Sequence, residues 1–488
     1  MSIVLIRPND QKAVYGDTLR YVACEPPFWM AVAAAYCKEK GEEVILIDAE
    51  AENLSFSEVA TRIESIADVN IVGIFVTGTN LSASTQKMQG ACQTCASIKE
   101  KRKEYKVFLW GLHPSALPER SLEESGADYI IKSEGFNTIY ELSKGNHNDV
   151  AFLKDLYFQN ADGTIEYTGN GGLLQTDDIP MPAWELLPME KYMPHNWHVM
   201  GEDIPSNARG RYGVISASVG CPFCCSFCAI SAQFGERVLR FWNVDRVIGE
   251  IERLVIEYNV KYIKILDECF VLKKAYVEEF CDKLIKKGFD INIWAYARVD
   301  TVSPELLKKL YKAGIRWIAY GIESGDDATL ASVDKGQYTS AQTLQAVKWT
   351  KEAGINIVAN FMFGLPEDTL ETMEKTLKLA KVINAEWINF AITMAYPGSK
   401  DYFDMVNKNQ IKNDKWIQYA QLSYESIPMG SKYLSPEEVL RFRDEAFIDY
   451  FKDNNEYFKN IQEKFGSQYV DSIKSMCSTK IRRKLLGD

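Results

Sequence analysis

Four of the chain's 11 cysteines fall within one short stretch, Cys221-Pro222-Phe223-Cys224-Cys225-Ser226-Phe227-Cys228. Thiolates are the usual protein ligands of iron-sulfur clusters, and a single loop can turn several of them toward one metal centre. Structural zinc commonly takes four ligands from two separated CxxC pairs. No second pair follows this stretch. Read as Cys221-xxx-Cys225-xx-Cys228, three thiolates hold three corners of a 4Fe-4S cube and leave one iron open for chemistry. Cys224 lies outside that spacing and reads as an alternative ligand or a spectator thiol. Cys92-Gln93-Thr94-Cys95 falls within a helical stretch and reads as core packing rather than a redox pair.

The elements that position this loop follow from the hydrophobic pattern. Up to about residue 145, short apolar runs (Ile3 to Ile6, Val44 to Ile47, Ile71 to Val76, Val107 to Trp110, Tyr129 to Ile131) alternate with longer helical segments. Such alternation predicts a doubly wound parallel sheet, Rossmann-like, with its ligand beyond the carboxyl ends of the strands. Thr77-Gly78-Thr79-Asn80 and Gly111-Leu112-His113-Pro114 fall at that edge. Residues 149–205 read as a linker carrying a small hairpin around Asn160-Ala161-Asp162-Gly163, followed by Ile179-Pro180-Met181-Pro182. Six further strand-helix units begin near residue 211: Tyr212 to Val219, Val260 to Leu266, Ile291 to Ala297, Ile315 to Ile322, Ile355 to Phe363 and Glu386 to Thr393. They predict a partial (β/α)6 barrel, reactive at its carboxyl-terminal face. The expected units are therefore 1–148, 149–205, 206–400 and a helical region 401–488. The cysteine loop follows the first barrel strand.

The loop resembles the CxxxCxΦC signature (Φ aromatic) of the radical S-adenosylmethionine (SAM) superfamily, with Phe227 at the aromatic position. The resemblance implies that Cys221, Cys225 and Cys228 bind the cluster and that its open iron chelates the amino and carboxylate groups of SAM. Reductive cleavage would then give a 5′-deoxyadenosyl radical. Asp267 and Glu268, Arg298, and Glu323 within Gly321-Ile322-Glu323-Ser324-Gly325 match family positions at strand ends and become expected SAM or substrate contacts. Phe363-Gly364-Leu365-Pro366-Glu367 is similar to the family's FGLPGET stretch, which backs the adenine.

Residues 1–148 resemble the cobalamin-binding domain that precedes this barrel in a large subgroup. The matching pieces are Gly111-Leu112-His113-Pro114, Leu117-Pro118-Glu119, Ser133-Glu134-Gly135 and, in the linker, Pro180-Met181-Pro182-Ala183-Trp184. They make Thr77, Thr79, Gly111, His113, Glu134 and Gly135 expected cobalamin contacts, small residues letting a nucleotide tail approach the backbone. The DxHxxG motif, which supplies the lower cobalt ligand in many cobalamin enzymes, is absent. His113 is the available substitute, or a structural hydrogen-bonding group, and the lower ligand stays open.

The resemblance implies a cytoplasmic, oxygen-sensitive enzyme that takes electrons from a flavodoxin or ferredoxin and methylates an unactivated carbon of a small metabolite. Two rivals stand beside this: ring formation or oxidation with the same cofactors but no methyl transfer, and a non-catalytic cobalamin or metal module. Methylthio transfer to RNA is disfavoured, since Cys24, Cys37, Cys92 and Cys95 do not resemble the extra cluster of that group. Composition agrees. A hydrophobic fraction of 46% over 488 residues predicts a large core, and a net charge of −11 argues against binding nucleic acid by general attraction. The basic stretch Lys480-Ile481-Arg482-Arg483-Lys484 is a candidate for a local basic groove, and reads more simply as a solvated helix end. The longest apolar run, Phe28 to Cys37, falls short of the roughly 18 to 20 residues that span a bilayer, and the start does not read as a secretory signal. Trp29, Trp110, Trp294 and Trp387 fill cores or line cavities, and periodicity does not say which. Cys269, close behind the acidic pair, is a further residue of interest.

Overall fold

A computed structural model describes residues 2–145, 149–234, 237–336, 338–452 and 454–488. The first strand, β1 (Ser2–Arg7), is buried throughout, as expected of a strand covered on both faces. It is flanked in parallel by β2 (Glu43–Asp48) and β3 (Val69–Phe75), and β4 (Lys106–Trp110) and β5 (Tyr129–Ile131) continue the parallel sheet. The strand order is β2-β1-β3-β4-β5. The winding reverses between β1 and β3, so the loops leaving those two strands diverge and open a crevice at their carboxyl ends.

The predicted hairpin exists as β6 (Leu156–Gln159) and β7 (Ile165–Tyr167), but it does not stand alone in a linker. Its first strand pairs antiparallel with β5 and extends the sheet to seven strands. Tyr157 and Tyr167 stack across the ribbon at 4.4 Å. The expected boundary at residue 148 lies outside the described residues.

The second sheet has six parallel strands: β8 (Tyr212–Ile215), β11 (Tyr262–Ile265), β12 (Asn292–Ala297), β13 (Ile315–Glu323), β14 (Asn356–Phe363) and β15 (Trp387–Ile392). They follow one another in chain order, and β8 and β15 are not paired with each other among the described residues, so the barrel is partial. The first predicted strand, Tyr212 to Val219, is broken after Ile215. Its second half forms β9 (Ser218–Gly220), which pairs antiparallel with β10 (Leu239–Phe241). The cause is the Asp267 carboxylate, which accepts from the Ala217 amide at 2.7 Å and from the Ser216 and Ser218 hydroxyls.

The helix Phe28–Glu39 explains the longest apolar run. It is buried on every side along Phe28 to Cys37 because it lies between the two units. Trp29 stacks on Trp242 of the barrel unit at 6.1 Å, and Phe28 meets Trp184 of the linker at 6.1 Å. No helix is long and apolar enough to cross a membrane among the described residues. The carboxyl-terminal helix Pro436–Phe451 packs on the outer face of β15, where Arg443 Nε donates to the Phe390 carbonyl at 2.8 Å. The basic tail is not simply solvated. Arg483 is buried and donates to Asp444 at 2.9 Å and to the Gln421 carbonyl at 2.7 Å.

Candidate active site

The carboxyl ends of both sheets face one cavity of about 320 Å³. From the first unit come Arg7 at the end of β1, the Glu25 to Trp29 segment and the turn Thr77 to Ser82 after β3. The barrel supplies Cys221, Cys225, Cys228 and Phe227, then Glu268, Arg298 and Glu323 from successive strand ends.

The cysteine loop is fixed from several directions. Gly220 enters it at φ +91°, and a Cβ there would fall 2.1 Å from the Val238 carbonyl oxygen, so only glycine fits. The Ser226 amide donates to the Val333 carbonyl at 3.1 Å, while Asp401 closes a reciprocal pair: its amide donates to the Ser226 carbonyl at 3.0 Å and its carboxylate accepts from the Ser226 hydroxyl at 3.2 Å. From the first unit, Ser82 Oγ lies 3.3 Å from Cys228 Sγ and accepts from the Ala229 amide at 3.2 Å. The turn after β3 therefore touches the cysteine loop directly. Burial pushes the Cys221 and Cys228 thiols up to about 12 and raises that of Cys225. Cys224 is exposed and does not line the cavity.

Around the loop the cavity carries opposed charges. Glu323, at φ +62° where β13 ends, holds a close ion pair with Lys335, whose ammonium lies 5.9 Å from the Phe227 ring. Arg298 forms a two-pronged pair with Asp300 at 2.9 Å and covers the Phe223 ring at 4.1 Å. Burial, outweighing Lys264, raises the Glu268 carboxyl to about 7. Cys269 also lines the cavity.

Several expected contacts lie behind the wall rather than on it. Asp267 is buried against the β8–β9 turn and holds the start of the cysteine loop through the bonds described above. Gly111, at φ +127°, sits beneath Thr77: an added Cβ would fall 2.5 Å from Thr77 Oγ1 and 2.6 Å from the Val76 carbonyl oxygen. Thr77 and Thr79 do line the cavity, and Thr77 Oγ1 is buried without a partner. His113 is wholly buried: its Nδ1 meets Thr85 Oγ1 at 3.0 Å, its ring lies edge-on to Trp416 at 4.6 Å, and burial lowers it to about 3, so it stays neutral. It does not reach the cavity wall. Glu134 turns to a close pair with Arg240 on β10, joining the two units, and Gly135 packs on Ile131. None of Phe363-Gly364-Leu365-Pro366-Glu367, expected to back the adenine, lines the cavity, although Phe361 and Met362 just before it do. An added Cβ at Gly364 would instead meet Val439 of the helix Pro436–Phe451 at 2.5 Å. Cys95 is buried and Cys92 partly so, within the helix Met88–Lys101.

Sequence reasoning missed Lys335, Glu25 and Lys264. Lys335 follows the Gly321–Gly325 segment by ten positions, but nothing in its spacing marks it. Glu25 and Lys264 are far apart in the chain, and only the docking of the units brings them within 2.8 Å.

The residues suit the groups that the signatures imply. Three cysteines on one pinned loop reach the cavity, and no three His, Cys, Asp or Glu side chains converge as a mononuclear ion requires among the described residues. A cube that takes each thiolate on a different iron needs no such convergence. At the β1/β3 switch point, the unpartnered Thr77 hydroxyl, with Gly78 and Thr79 beside it, offers a polar surface to a bulky ligand, and Gly111 lets the Thr77 turn pack closely from behind.

Two family models match in chain order. The B12 binding domain matches residues 17–143, and the Radical SAM superfamily matches residues 215–380. An uncharacterized methyltransferase of Pyrococcus horikoshii, PH0819, is 31% identical over 475 residues, covering 96% of each chain. The chain belongs to the cobalamin-dependent radical SAM family. A second relative, the anaerobic magnesium-protoporphyrin IX monomethyl ester cyclase of Rubrivivax gelatinosus, is 30% identical and covers 84% of this chain and 71% of its own length. Among solved structures, the radical SAM methyltransferase TsrM from Kitasatospora setae, with cobalamin and a 4Fe-4S cluster bound, aligns with a TM-score of 0.69 at 17% identity. It covers 92% of this chain and 88% of its own. The cobalamin-dependent radical enzyme OxsB aligns at 0.62 and 16% identity, over 93% of this chain and 61% of its own, so the two-unit fold is shared. As a family member the chain is an enzyme whose cofactors are a 4Fe-4S cluster, SAM and cobalamin.

Alanine at Gly111 gives a direct check of the cradle. The forced Cβ and the positive φ are expected to cost about 1–3 kcal/mol. Thermal unfolding should show that loss, and cobalamin should be retained less on gel filtration. A variant with unchanged stability and cobalamin content would mean that the Thr77 to Gly111 contact is not tight.

Proposed function

We propose that the protein methylates an unactivated carbon of a small molecule. The observation that carries this reading is the contact of Ser82 with Cys228 at 3.3 Å, which brings the cobalamin-unit turn onto the cysteine loop within one cavity. The methyltransferase relative spanning 96% of the chain supports it. When bound, the three cofactors supply reductive cleavage of SAM, a radical that abstracts hydrogen, and carriage of the methyl group.

The chain's own residues do the rest. Cys221, Cys225 and Cys228 are the cluster ligands, and because burial favours their thiol forms, each must give up a proton when metal binds. Glu268 would accept from the SAM ammonium, while Arg298 and Glu323, each steadied by its ion pair, would hold its carboxylate and ribose. Phe227 packs beside the cluster. Thr77 and Thr79, on the cavity wall, would hold cobalamin. Asp267, Gly111, His113, Glu134 and Gly135 act from behind the wall as positioning residues. Trp29 and Phe75 keep water from that end of the cavity. Enclosure and proximity serve catalysis here, since an exposed radical reacts with whatever arrives first. A flavodoxin or ferredoxin supplies electrons, and the compartment is the cytoplasm, where such a cluster and 11 cysteines stay reduced.

A second reading, ring formation or oxidation without methyl transfer, is favoured by the cyclase relative. Anaerobic turnover with SAM labelled in its methyl group separates the two. The proposal expects the label in the product, whereas 5′-deoxyadenosine with an unlabelled product would favour the second reading.

A further inference from the structure

Strand β12 carries an aromatic side chain to which the proposed methyl transfer assigns no role. Trp294 packs on Trp197 at 5.2 Å, Tyr296 follows two positions later with its ring 5.0 Å from Trp294, and Arg298 comes two positions beyond that. Alternate residues of an extended chain share a face and stand roughly 7 Å apart, so Tyr296 lies one layer beneath Arg298. Both line the cavity.

The Tyr296 hydroxyl faces that space. The charges that act on it, Lys264, Glu268, Glu25 and Glu323, all line the same cavity. It has no hydrogen-bond partner among the described residues. Burial, outweighing the Lys264 ammonium, raises the phenol above its ordinary value of 10.0, so it keeps its hydrogen at neutral pH.

A phenolic O–H bond is weaker than the C–H bond that a primary alkyl radical forms on taking hydrogen. The aliphatic hydroxyls of Thr77, Thr79 and Ser82, also on the wall, hold theirs more tightly. Other weak hydrogens on the wall are less open: Tyr396 and Cys269 are buried, and Gln421 donates to the Tyr396 oxygen at 3.3 Å. Tyr296 is only partly buried. An oxidised Tyr296 would also keep its unpaired electron. The adjacent Trp294 ring lies under the Lys264 ammonium at 4.9 Å, and a cation against its face opposes oxidation of the indole.

We propose that Tyr296 is an internal quencher: when no substrate is bound, its hydroxyl gives a hydrogen atom to the 5′-deoxyadenosyl radical. The O–H bond breaks and a C–H bond forms, leaving 5′-deoxyadenosine and a neutral phenoxyl radical on Tyr296. One electron from the low-potential donor that reduces the cluster, and one proton from solvent, restore the phenol. The inference rests on reading the cavity as the place where the radical forms, and adds an activity that spares the chain when SAM is cleaved without substrate.

Anaerobic holoenzyme carrying cobalamin, cluster and SAM tests it in deuterium oxide, free of thiols and substrate, after the cluster has taken up one electron and excess reductant has been removed. The product 5′-deoxyadenosine should carry a single deuterium by mass spectrometry, because the hydroxyl exchanges with solvent. Freeze-quenched samples should show a phenoxyl radical by electron paramagnetic resonance, with lines that narrow when the protein contains ring-deuterated tyrosine. Tyr296→Phe should lose both label and signal with cobalamin and cluster absorption unchanged, whereas Tyr396→Phe and Cys269→Ser should keep both. Absent or unlabelled 5′-deoxyadenosine, a parent protein without the phenoxyl signal, label or signal persisting in Tyr296→Phe, or their loss in either control variant overturns the inference. Absence of the cluster and cobalamin spectra from the parent would strike at the proposed function and at the inference with it. Intact spectra without the label strike at the quencher alone.

Discussion

Alanine at Cys221, Cys225 or Cys228 is expected to abolish SAM cleavage, while serine at Cys224 leaves it intact. The three cysteines line the cavity and the fourth, one position away from Cys225, is exposed outside it. Losing one thiolate leaves a corner of the cube without a protein ligand, and the remaining two cannot make it up from elsewhere on the wall. Cys269 lines the same cavity, but it follows β11, outside the pinned loop. Iron and sulfide analysis of anaerobically reconstituted protein, followed by 5′-deoxyadenosine release under reductant, checks this. The alanine variants should lose cluster iron and product together. Full iron content and undiminished turnover in Cys225→Ala would refute the ligand assignment.

The second large effect concerns the joint between the units. Glu25 belongs to the first unit and accepts from Lys264 Nζ of β11 at 2.8 Å and from Tyr212 Oη at 3.0 Å, with His195 Nε2 at 3.5 Å. Burial works to raise its carboxyl, but the Lys264 ammonium and His195 outweigh that and hold it at about 2. Glu25→Gln leaves a buried ammonium without its counter-ion and is expected to cost about 3–5 kcal/mol. Adding Lys264→Met to that variant should recover much of the loss, because it removes the stranded charge. The pH dependence has a definite sign. The folded carboxyl lies below its ordinary value of 4.5, so its contribution is complete above that value and disappears as pH falls toward about 2. Denaturation of parent and Glu25→Gln protein should show a stability gap that is wide at neutral pH and closes in acid. A gap independent of pH would contradict the ion-pair account.

The difference between what the sequence discloses and what it hides is physical. Strands announce themselves where burial is continuous: the runs from Ile3, Ile71, Val260 and Ile355 all become strands, since a parallel sheet covered on both faces leaves no polar alternation to confuse the pattern. The cysteine loop is legible because its chemistry is local, three ligands within one turn of chain. Asp267 shows the limit of that logic. Its neighbour Glu268 reaches the cavity, but Asp267 itself points back to the β8–β9 turn, because adjacent side chains at a strand end face opposite ways. His113 is a second case. A loop histidine before proline carries no mark of the Trp416 ring that covers it, which comes from a segment 300 residues later. The Glu25–Lys264 pair likewise exists only once distant segments meet.

The central claim is that the cysteine loop and the β1/β3 switch point share one cavity. Electron paramagnetic resonance of the anaerobic holoenzyme, with cobalt(II) and the reduced cluster present together, addresses it most directly. A shared chamber predicts a cobalt(II) signal whose relaxation is accelerated by the neighbouring cluster spin, and a return to the slow, isolated signal in Cys225→Ala protein that still holds cobalamin. Cobalt(II) relaxation in the parent protein that is indifferent to the oxidation state of the cluster would contradict it.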